Sequence, residues 1–257
     1  MPAGRFYIAE AALVSGAEII LTAEIAHQVR DVLRLTPGAM IHLLDGAGGE
    51  YPATLGEVSR AHIIAILGAR EEGHAEPPAR IILYQGMLKA AKFEWVLQKG
   101  TELGVATFVP LITSRAVAAS EELGTAKRHR YERILIEAME QCGGAHLPTL
   151  AAPQTLRQAL DNLPANAHAL IPWEGEPDLT LRAALHRTLT QHADDMEAPP
   201  TIALFIGPEG GFAADEVALA RQRGARAVTL GRRILRAETA AMVAVTLALD
   251  ALEPNPS

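Results

Sequence analysis

The chain has 257 residues, with 23 lysines and arginines against 30 aspartates and glutamates, so its formal net charge is −7. This acidic balance argues against non-specific binding of nucleic acid, which depends on many summed contacts to phosphates. The single cysteine, Cys142, excludes an internal disulfide, and the nine histidines show no metal-ligand spacing, so we expect no metal site. Because the sequence shows no secretory segment and no apolar run of about eighteen residues, we expect a cytoplasmic protein without a membrane span.

The first 70 residues carry the patterns of several short strands and one helix. The strands are predicted over residues 5–8, 18–21, 40–44, 51–58 and 62–67, and the helix over 23–35. These patterns predict a small β-rich domain over residues 1–70.

Residues 68–79 have the composition of a linker, because they combine acidic residues with Gly73 and the Pro77-Pro78 pair. Beyond them, apolar stretches alternate with helical patterns, at residues 80–84, 107–111, 168–172, 201–205 and 226–230. This alternation predicts a mostly parallel α/β sheet in a second domain over residues 80–257. Residues 194–200 are predicted to form an exposed loop.

Two short motifs follow predicted strands of that sheet. Ile206-Gly-Pro-Glu-Gly-Gly-Phe212 follows the strand at 201–205, and Leu230-Gly-Arg-Arg-Ile-Leu-Arg-Ala-Glu-Thr-Ala240 follows the next. Each leads into a helical pattern, so both lie at the carboxyl ends of strands, where open α/β sheets bind their ligands. An ordinary β-turn before a helix with Asp215 and Glu216 in its first turn is the alternative for the first motif.

The glycines of these motifs do not form a familiar phosphate-binding loop. No Lys-Ser/Thr pair follows them and their spacing is not G-x-G-x-x-G, which argues against a nucleotide phosphate site. A ligand with an adenine or ribose part and little negative charge, such as S-adenosylmethionine, fits this pattern better. We expect the glycine backbone to approach that ligand closely.

The second motif also concentrates positive charge. Arg232, Arg233 and Arg236 crowd a junction between strand and helix, and arginine is seldom buried without a partner. A binding role for these side chains is one interpretation. A structural ion pair between Arg236 and Glu238 at the start of the helix is the other.

The two motifs in this order resemble the methyltransferase domain of the RsmE family in the SPOUT superfamily. That family methylates N3 of one uridine in 16S ribosomal RNA with S-adenosylmethionine. Further similar segments are Lys89-x-x-Lys92, Gln98-Lys99-Gly-Thr-Glu-Leu-Gly104, Pro110, Arg115, Glu137-Ala-Met-Glu-Gln141 and, near the N-terminus, Val32 to Gly38 with Asp45-Gly46.

The resemblance implies a PUA-like RNA-binding β-barrel over residues 1–70 and a SPOUT α/β domain with a C-terminal trefoil knot over 80–257. It also implies a homodimer that acts on 16S rRNA or the small ribosomal subunit. The cofactor contacts that it implies are Leu170, Pro172, Gly207, Glu209, Gly210, Leu230, Gly231, Ile234 and Leu235.

The same resemblance implies that Arg236 and Glu238 are the catalytic residues. N3 of uracil is protonated at neutral pH, so a guanidinium near a carbonyl oxygen would stabilise the anion left by proton loss. Glu238 either accepts that proton or orients Arg236. The RNA contacts are predicted to be Arg5, Arg34, Lys89, Lys92 and Lys99.

Four of these RNA-binding predictions have a structural alternative. Arg34 would then only cap its helix, and the lysines would lie at the margin of the core.

Three segments depart from the family pattern. Cys142-Gly-Gly144 stands where the family has Ser-Gly-Arg, Gly100 replaces an alanine, and Ala237 replaces a threonine. Two other functions stay open: a SPOUT methyltransferase acting on tRNA or on a different RNA atom, and a non-catalytic RNA-binding protein that keeps the cofactor fold.

Overall fold

The computed structural model describes residues 4–9, 13–73, 76–116, 123–191 and 199–252. The chain divides into two units, Met1–Glu76 with Ile136–Leu147, and Pro77–Leu135 with Pro148–Ser257. The change of unit after residue 76 falls inside the segment with linker composition. The sequence predicted a second domain that runs unbroken from residue 80, whereas Ile136–Leu147 belongs to the first unit.

The first unit is built on a six-stranded mixed sheet. Its strands are β1 (Arg5–Tyr7), β2 (Glu18–Ile20), β3 (Met40–Leu44), β4 (Gly49–Val58), β5 (Ile63–Leu67) and β6 (Glu71–Glu72). The pairing order is β1-β3-β4-β5-β2, with β6 paired to β4 and only the β1–β3 pair parallel. Alternate side chains of β3, β4 and β5 are buried, as expected of a sheet with one covered face.

Two local features of this unit differ from the sequence prediction. The helix expected over 23–35 is a short α-helix, α1 (Ala23–His27), which continues as a π-helix over Gln28–Val32. The chain then turns at Arg34, whose φ of 53° lies in the left-handed region. The segment with linker composition contains β6, because Glu71 and Glu72 pair with the beginning of β4.

Hydrogen bonds from β1 hold Ile136–Leu147 in the first unit. The Arg5 guanidinium lies 2.5 Å from a carboxylate oxygen of Glu50 and donates to the carbonyls of Gly143 and Gly144 at 3.0 and 3.3 Å. The backbone N–H of Tyr7 donates to the Glu140 carboxylate at 2.7 Å. Burial raises the pKa of the Glu140 carboxyl, and the Tyr7 hydrogen bond opposes that shift. Arg5 therefore has a structural role.

The second unit is a seven-stranded parallel sheet with helices between its strands. The strands are β7 (Arg80–Gly86), β8 (Val105–Ile112), β9 (Thr149–Leu150), β10 (Gln154–Thr155), β11 (Ala167–Pro172), β12 (Thr201–Ile206) and β13 (Arg226–Val228). Their order is β10-β8-β7-β12-β11-β13, with β9 paired to β8. The helices are α2 (Ala90–Glu102), α3 (Thr125–Cys142, which belongs to this unit as far as Leu135), α4 (Leu156–Asp161), α5 (Leu181–Gln191), α6 (Ala214–Gln222) and α7 (Ala237–Asp250). The predicted α/β class is confirmed.

Strand β12 shows why the sheet has helices on both faces. All six of its side chains are buried, which a parallel strand covered on both sides requires. Ala203 and Phe205 pack in one apolar cluster with residues of α4 and α6, and the Phe205 ring stacks on Tyr84 with centroids 4.4 Å apart. Helix α7 packs against β12 as well, in contact with α2 and α5. In the described part of the chain, no helix combines the length and apolarity that crossing a bilayer requires.

Tyr131 on α3 offers a test of packing in this unit. Its side chain is fully buried beside Phe93, and its hydroxyl has no hydrogen-bond partner among the described residues. A buried hydroxyl without a partner costs about 1–3 kcal/mol. We therefore expect Tyr131→Phe to raise the free energy of unfolding by about 1 kcal/mol at pH 7, measured by urea denaturation.

The same substitution should show a pH dependence. Burial, with a smaller effect of Glu94, raises the pKa of the Tyr131 hydroxyl to about 12. A tyrosine in the unfolded chain ionises near pH 10, so between about pH 10 and 12 the unfolded state loses a proton that the folded state keeps. The wild type therefore loses stability over that window while Tyr131→Phe lacks this contribution. An equal loss in both proteins would contradict this account.

Candidate functional site

A cleft of about 630 Å³ lies at the carboxyl edge of the parallel sheet in the second unit. Its walls are the segments that follow three neighbouring strands: residues 172–174 after β11, 206–212 after β12 and 229–237 after β13. Lys92 on α2, the helix that follows β7, adds a fourth side. The two sequence motifs therefore meet in one site, as their positions after parallel strands predicted.

The first motif forms a tight turn whose glycines serve the turn itself. The N–H of Gly211 donates to the Pro208 carbonyl at 2.9 Å, and Gly211 has a φ of +67°. A Cβ on Gly207 would lie 3.1 Å from the Gly211 backbone. The Glu216 carboxylate then accepts from the N–H groups of Ala213 and Ser114, at 2.9 and 2.8 Å, and fixes the start of α6.

The end of β7 supports this turn from the side. A Cβ on Gly86 would lie 2.4 Å from the Pro208 nitrogen, which real Cβ atoms do not tolerate. The amide of Gln85, fully buried, donates to the carbonyls of Gly86 and Gly207 at 3.1 and 3.4 Å. Gln85 and Gly86, which lie outside both motifs, thus position the first motif.

Gly210 lies against Arg115, whereas the sequence suggested that it lies against a ligand. The prediction was a close approach to a ligand, but a Cβ on Gly210 would lie 3.0 Å from the Arg115 Cβ. The Arg115 guanidinium also donates to the Gly210 carbonyl at 3.0 Å. Gly210 still lines the cleft, but its missing side chain makes room for Arg115.

Gly231 in the second motif faces open space, as Gly211 of the first motif does. Its φ is +117°, and a Cβ there would meet no atom within 4 Å. The Thr229 hydroxyl accepts from the Gly231 N–H at 3.2 Å and holds the turn. Any larger residue at 231 would strain the backbone and add atoms to the cleft.

The charged side chains of the site are of two kinds, those close to an opposite charge and those without one. The Lys92 ammonium lies 3.5 Å from a Glu209 carboxylate oxygen and 3.7 Å from one of Glu238. By contrast, the second motif supplies three exposed guanidinium groups that have no hydrogen bond or ion pair among the described residues. They belong to Arg232, Arg233 and Arg236, and all three line the cleft.

Most of the predicted cofactor contacts line the cleft. They are Pro172, Gly207, Glu209, Gly210, Leu230, Gly231, Ile234 and Leu235. Leu170 does not line the cleft, because it lies two residues before the end of β11, buried between Leu204 and Arg226 of the adjacent strands. Arg236 lines the cleft at the N-cap of α7, whereas Glu238 lies 3.7 Å from the Lys92 ammonium and is not a lining residue.

The predicted RNA contacts are in different environments. Arg34 and Lys89 are exposed and have no partner among the described residues, whereas Lys99 pairs with Glu102 at 2.7 Å. Lys92 lies in the cleft, and Arg5 is held by Glu50 and two carbonyls. The three lysines predicted to contact RNA thus lie in three different environments.

Sequence reasoning missed Trp173 and Glu174, which also line the cleft. The Trp173 N–H donates to the Val228 carbonyl at 3.0 Å, and the Arg221 guanidinium lies 5.6 Å from the centroid of its ring. Their position directly after the predicted strand at 168–172 was the available signal. Across the described ranges, no three His, Cys, Asp or Glu side chains form a group that could hold a metal ion.

Residues 75–249 match the model of the RNA methyltransferase domain family. Ribosomal RNA small subunit methyltransferase E of Synechocystis sp. is 32% identical over 244 residues, which are 94% of this chain and 75% of that protein. The chain belongs to the ribosomal RNA small subunit methyltransferase E family. The Bacillus subtilis protein of the same name is 26% identical over 88% of this chain and 87% of its own length.

A solved methyltransferase E has the same fold. The crystal structure of the Neisseria gonorrhoeae protein, which is bound to S-adenosyl methionine, superposes with a TM-score of 0.80. The two chains are 31% identical, and the match covers 95% of each. The likeness therefore extends over both units.

Proposed function

We propose that this methyltransferase E transfers a methyl group from S-adenosylmethionine to N3 of a uridine in the RNA of the small ribosomal subunit. The cleft carries this proposal, because it joins the two motifs after β12 and β13 in one site. The Neisseria gonorrhoeae relative, bound to S-adenosyl methionine, supports the choice of cofactor. The names of the relatives support the RNA.

The residues of the cleft fit S-adenosylmethionine. A volume of about 630 Å³ suits a ligand of that size, and the walls combine apolar side chains with backbone groups. Leu230 and Leu235 offer apolar contact, while the turns at 207–211 and 229–231 offer backbone donors and acceptors. When bound, the cofactor supplies a methyl group activated by a sulfonium.

A substitution at Gly86, which lies against the first motif, tests this assignment. Gly86→Ala places a Cβ against the backbone at Pro208, and overpacking of this kind costs about 1–3 kcal/mol. We expect the turn to shift and S-adenosylmethionine binding, measured by calorimetry, to weaken by about tenfold. Gly56→Ala is the control, because a Cβ there would meet its nearest atom at 3.7 Å, in the first unit. Unchanged affinity in a folded Gly86→Ala protein would contradict the supporting role of Gly86.

The chemical role that we propose for Arg236 is stabilisation of the uracil anion. Its guanidinium lines the cleft without a partner among the described residues, so it is available to a substrate oxygen. It also stands at the N-cap of α7, where backbone N–H groups and the helix dipole favour negative charge. Glu238 does not line the cleft, so we propose a positioning role for it and no direct proton transfer.

For RNA docking we propose Arg34 and Lys89, the two predicted contacts that stay exposed and unpaired in the described structure. Arg5, Lys92 and Lys99 each have carboxylates close to their cationic groups, which lowers their value to a phosphate. A protein of net charge −7 should bind RNA only where shape and charge coincide.

Several properties implied by the family resemblance stay proposals. They are the PUA-like barrel of residues 1–70, the trefoil knot in the domain at 80–257, the homodimer and the cytoplasmic location. Ile234 supports the homodimer, since it is an apolar side chain in the cleft wall that is 85% exposed in the single chain. A second chain that completes the site would cover it, and light scattering of the purified protein would show a dimer.

Transfer of a labelled methyl group tests the proposed function. The protein is incubated with methyl-labelled S-adenosylmethionine and, separately, with unmodified small-subunit rRNA, large-subunit rRNA and tRNA. Label only in small-subunit rRNA supports the proposal. Label in tRNA or large-subunit rRNA supports a different RNA substrate, and cofactor binding without any transfer supports a non-catalytic RNA-binding protein.

A further inference from the structure

Lys92 is the lysine that lines the cleft, and its surroundings set it apart from a surface RNA contact. Its side chain is 35% exposed, and its ammonium lies 3.5 Å from Glu209 and 3.7 Å from Glu238. Charge-assisted hydrogen bonds are shorter, about 2.7–2.9 Å. Both carboxylates therefore hold the ammonium by charge, and its donors are free for a substrate.

The Glu238 carboxylate explains why the Lys92 ammonium lies in this part of the cleft. One of its carboxylate oxygens is buried and has no hydrogen-bond partner among the described residues, and the side chain is 16% exposed. Such a carboxylate is costly unless a cation compensates it. Lys92 is the cation in reach. Glu238, on the first turn of α7, thus anchors a lysine that comes from α2.

The charges near Lys92 distinguish two possible ligands. The lysine and its two carboxylates sum to −1, whereas Arg232, Arg233 and Arg236 of the same cleft have no ion pair among the described residues, so a phosphate that arrives fully charged is favoured at these arginines over Lys92. A uracil arrives neutral and becomes negative only as N3 loses its proton. Two carboxylates face the Lys92 ammonium, a group that carries three hydrogen-bond donors and no acceptor.

We propose that Lys92 is a catalytic residue of the methyl transfer, with its ammonium donating a hydrogen bond to a carbonyl oxygen of the target pyrimidine. In this step the N3–H bond breaks and the proton leaves to water. The electron pair stays on the ring, and the charge spreads onto the carbonyl oxygens, where Lys92 and Arg236 stabilise it from α2 and from the start of α7. Glu209 and Glu238 are positioning residues. The proposal rests on the proposed function.

The test compares Lys92→Met with Lys127→Met, which removes a lysine on α3 outside the cleft. With RNA and S-adenosylmethionine saturating, we expect Lys92→Met to slow single-turnover methylation of unmodified small-subunit rRNA by about a hundredfold. Lys127→Met should methylate like the wild type, and Lys92→Arg should recover part of the rate. The affinity for S-adenosylmethionine and the salt dependence of RNA binding should be unchanged in Lys92→Met.

A second measurement follows the proton directly. RNA transcribed with 5-fluorouridine has a more acidic N3, so it needs less help to form the anion. The defect of Lys92→Met relative to the wild type should shrink on this RNA, which a purely structural defect would not do.

The outcomes separate the two proposals. A wild type that methylates no small-subunit rRNA overturns the proposed function and the Lys92 proposal with it. With an active wild type, three results overturn the Lys92 proposal alone: a normal rate in Lys92→Met, an equal defect on 5-fluorouridine RNA, or a salt slope that falls by about one phosphate contact.

Discussion

Arg236→Ala should lower single-turnover methylation of small-subunit rRNA by about a hundredfold, the usual effect of removing one donor that faces developing negative charge. The guanidinium lines the cleft and has no partner among the described residues, so its removal leaves no buried charge behind. Cofactor and RNA affinities should change much less. Because a higher pH assists loss of the N3 proton, raising the pH should restore part of the rate.

The control for Arg236 is Arg223→Ala. Arg223 is at the end of α6 and pairs with Asp161 at 3.2 Å, outside the cleft. The Arg223→Ala variant should methylate the RNA at the wild-type rate. If Arg236→Ala also reaches that rate once RNA saturates it, Arg236 only binds RNA, and Lys92 alone would remain as the cation that stabilises the anion.

Gly231→Val should abolish detectable S-adenosylmethionine binding while the protein still unfolds cooperatively. Its φ of +117° strains any residue with a Cβ, and the added side chain would project into the open space of the cleft. Calorimetry measures the affinity, and thermal denaturation shows whether the variant is folded.

Gly224→Val separates the strain of Gly231→Val from its effect on the cleft. Gly224 has a φ of +86° and likewise no atom within 4 Å of a Cβ, but it does not line the cleft. Both variants should lose similar stability, and only Gly231→Val should lose the cofactor. Wild-type affinity in a folded Gly231→Val would show that the ligand does not approach this turn.

The sequence predicted the parallel sheet because short apolar stretches alternate with helical patterns along the chain. Strand β12 is the clearest case, with six buried residues in a row. The sequence pattern could not predict that Ile136–Leu147 belongs to the first unit. That placement depends on hydrogen bonds between Arg5 and the carbonyls of Gly143 and Gly144, residues about 140 positions apart in sequence. Strand β6 is two polar residues long, too short for a pattern.

The sequence predicted which loops form the site. It did not predict which individual side chains line the cleft. Both motifs line the cleft, yet Glu238 pairs with Lys92 without lining the cleft, and Gly210 makes room for Arg115. The first outcome depends on how α2 and α7 pack together, and the second on contacts between the segments after β8 and β12, neither of which spacing within one motif determines. Leu170 is different. Its place two residues inside β11 could have been inferred from the strand itself.

The most direct test of the account is mass spectrometry of small-subunit rRNA nucleosides from cells with and without this protein. We expect one N3-methyluridine, which is absent without the protein and returns with the wild-type chain but not with Arg236→Ala. Mapping of fragments would assign it to a single position. An unchanged N3-methyluridine signal in cells that lack the protein, or the loss of a methyl group from a different atom or RNA, would contradict the proposed function.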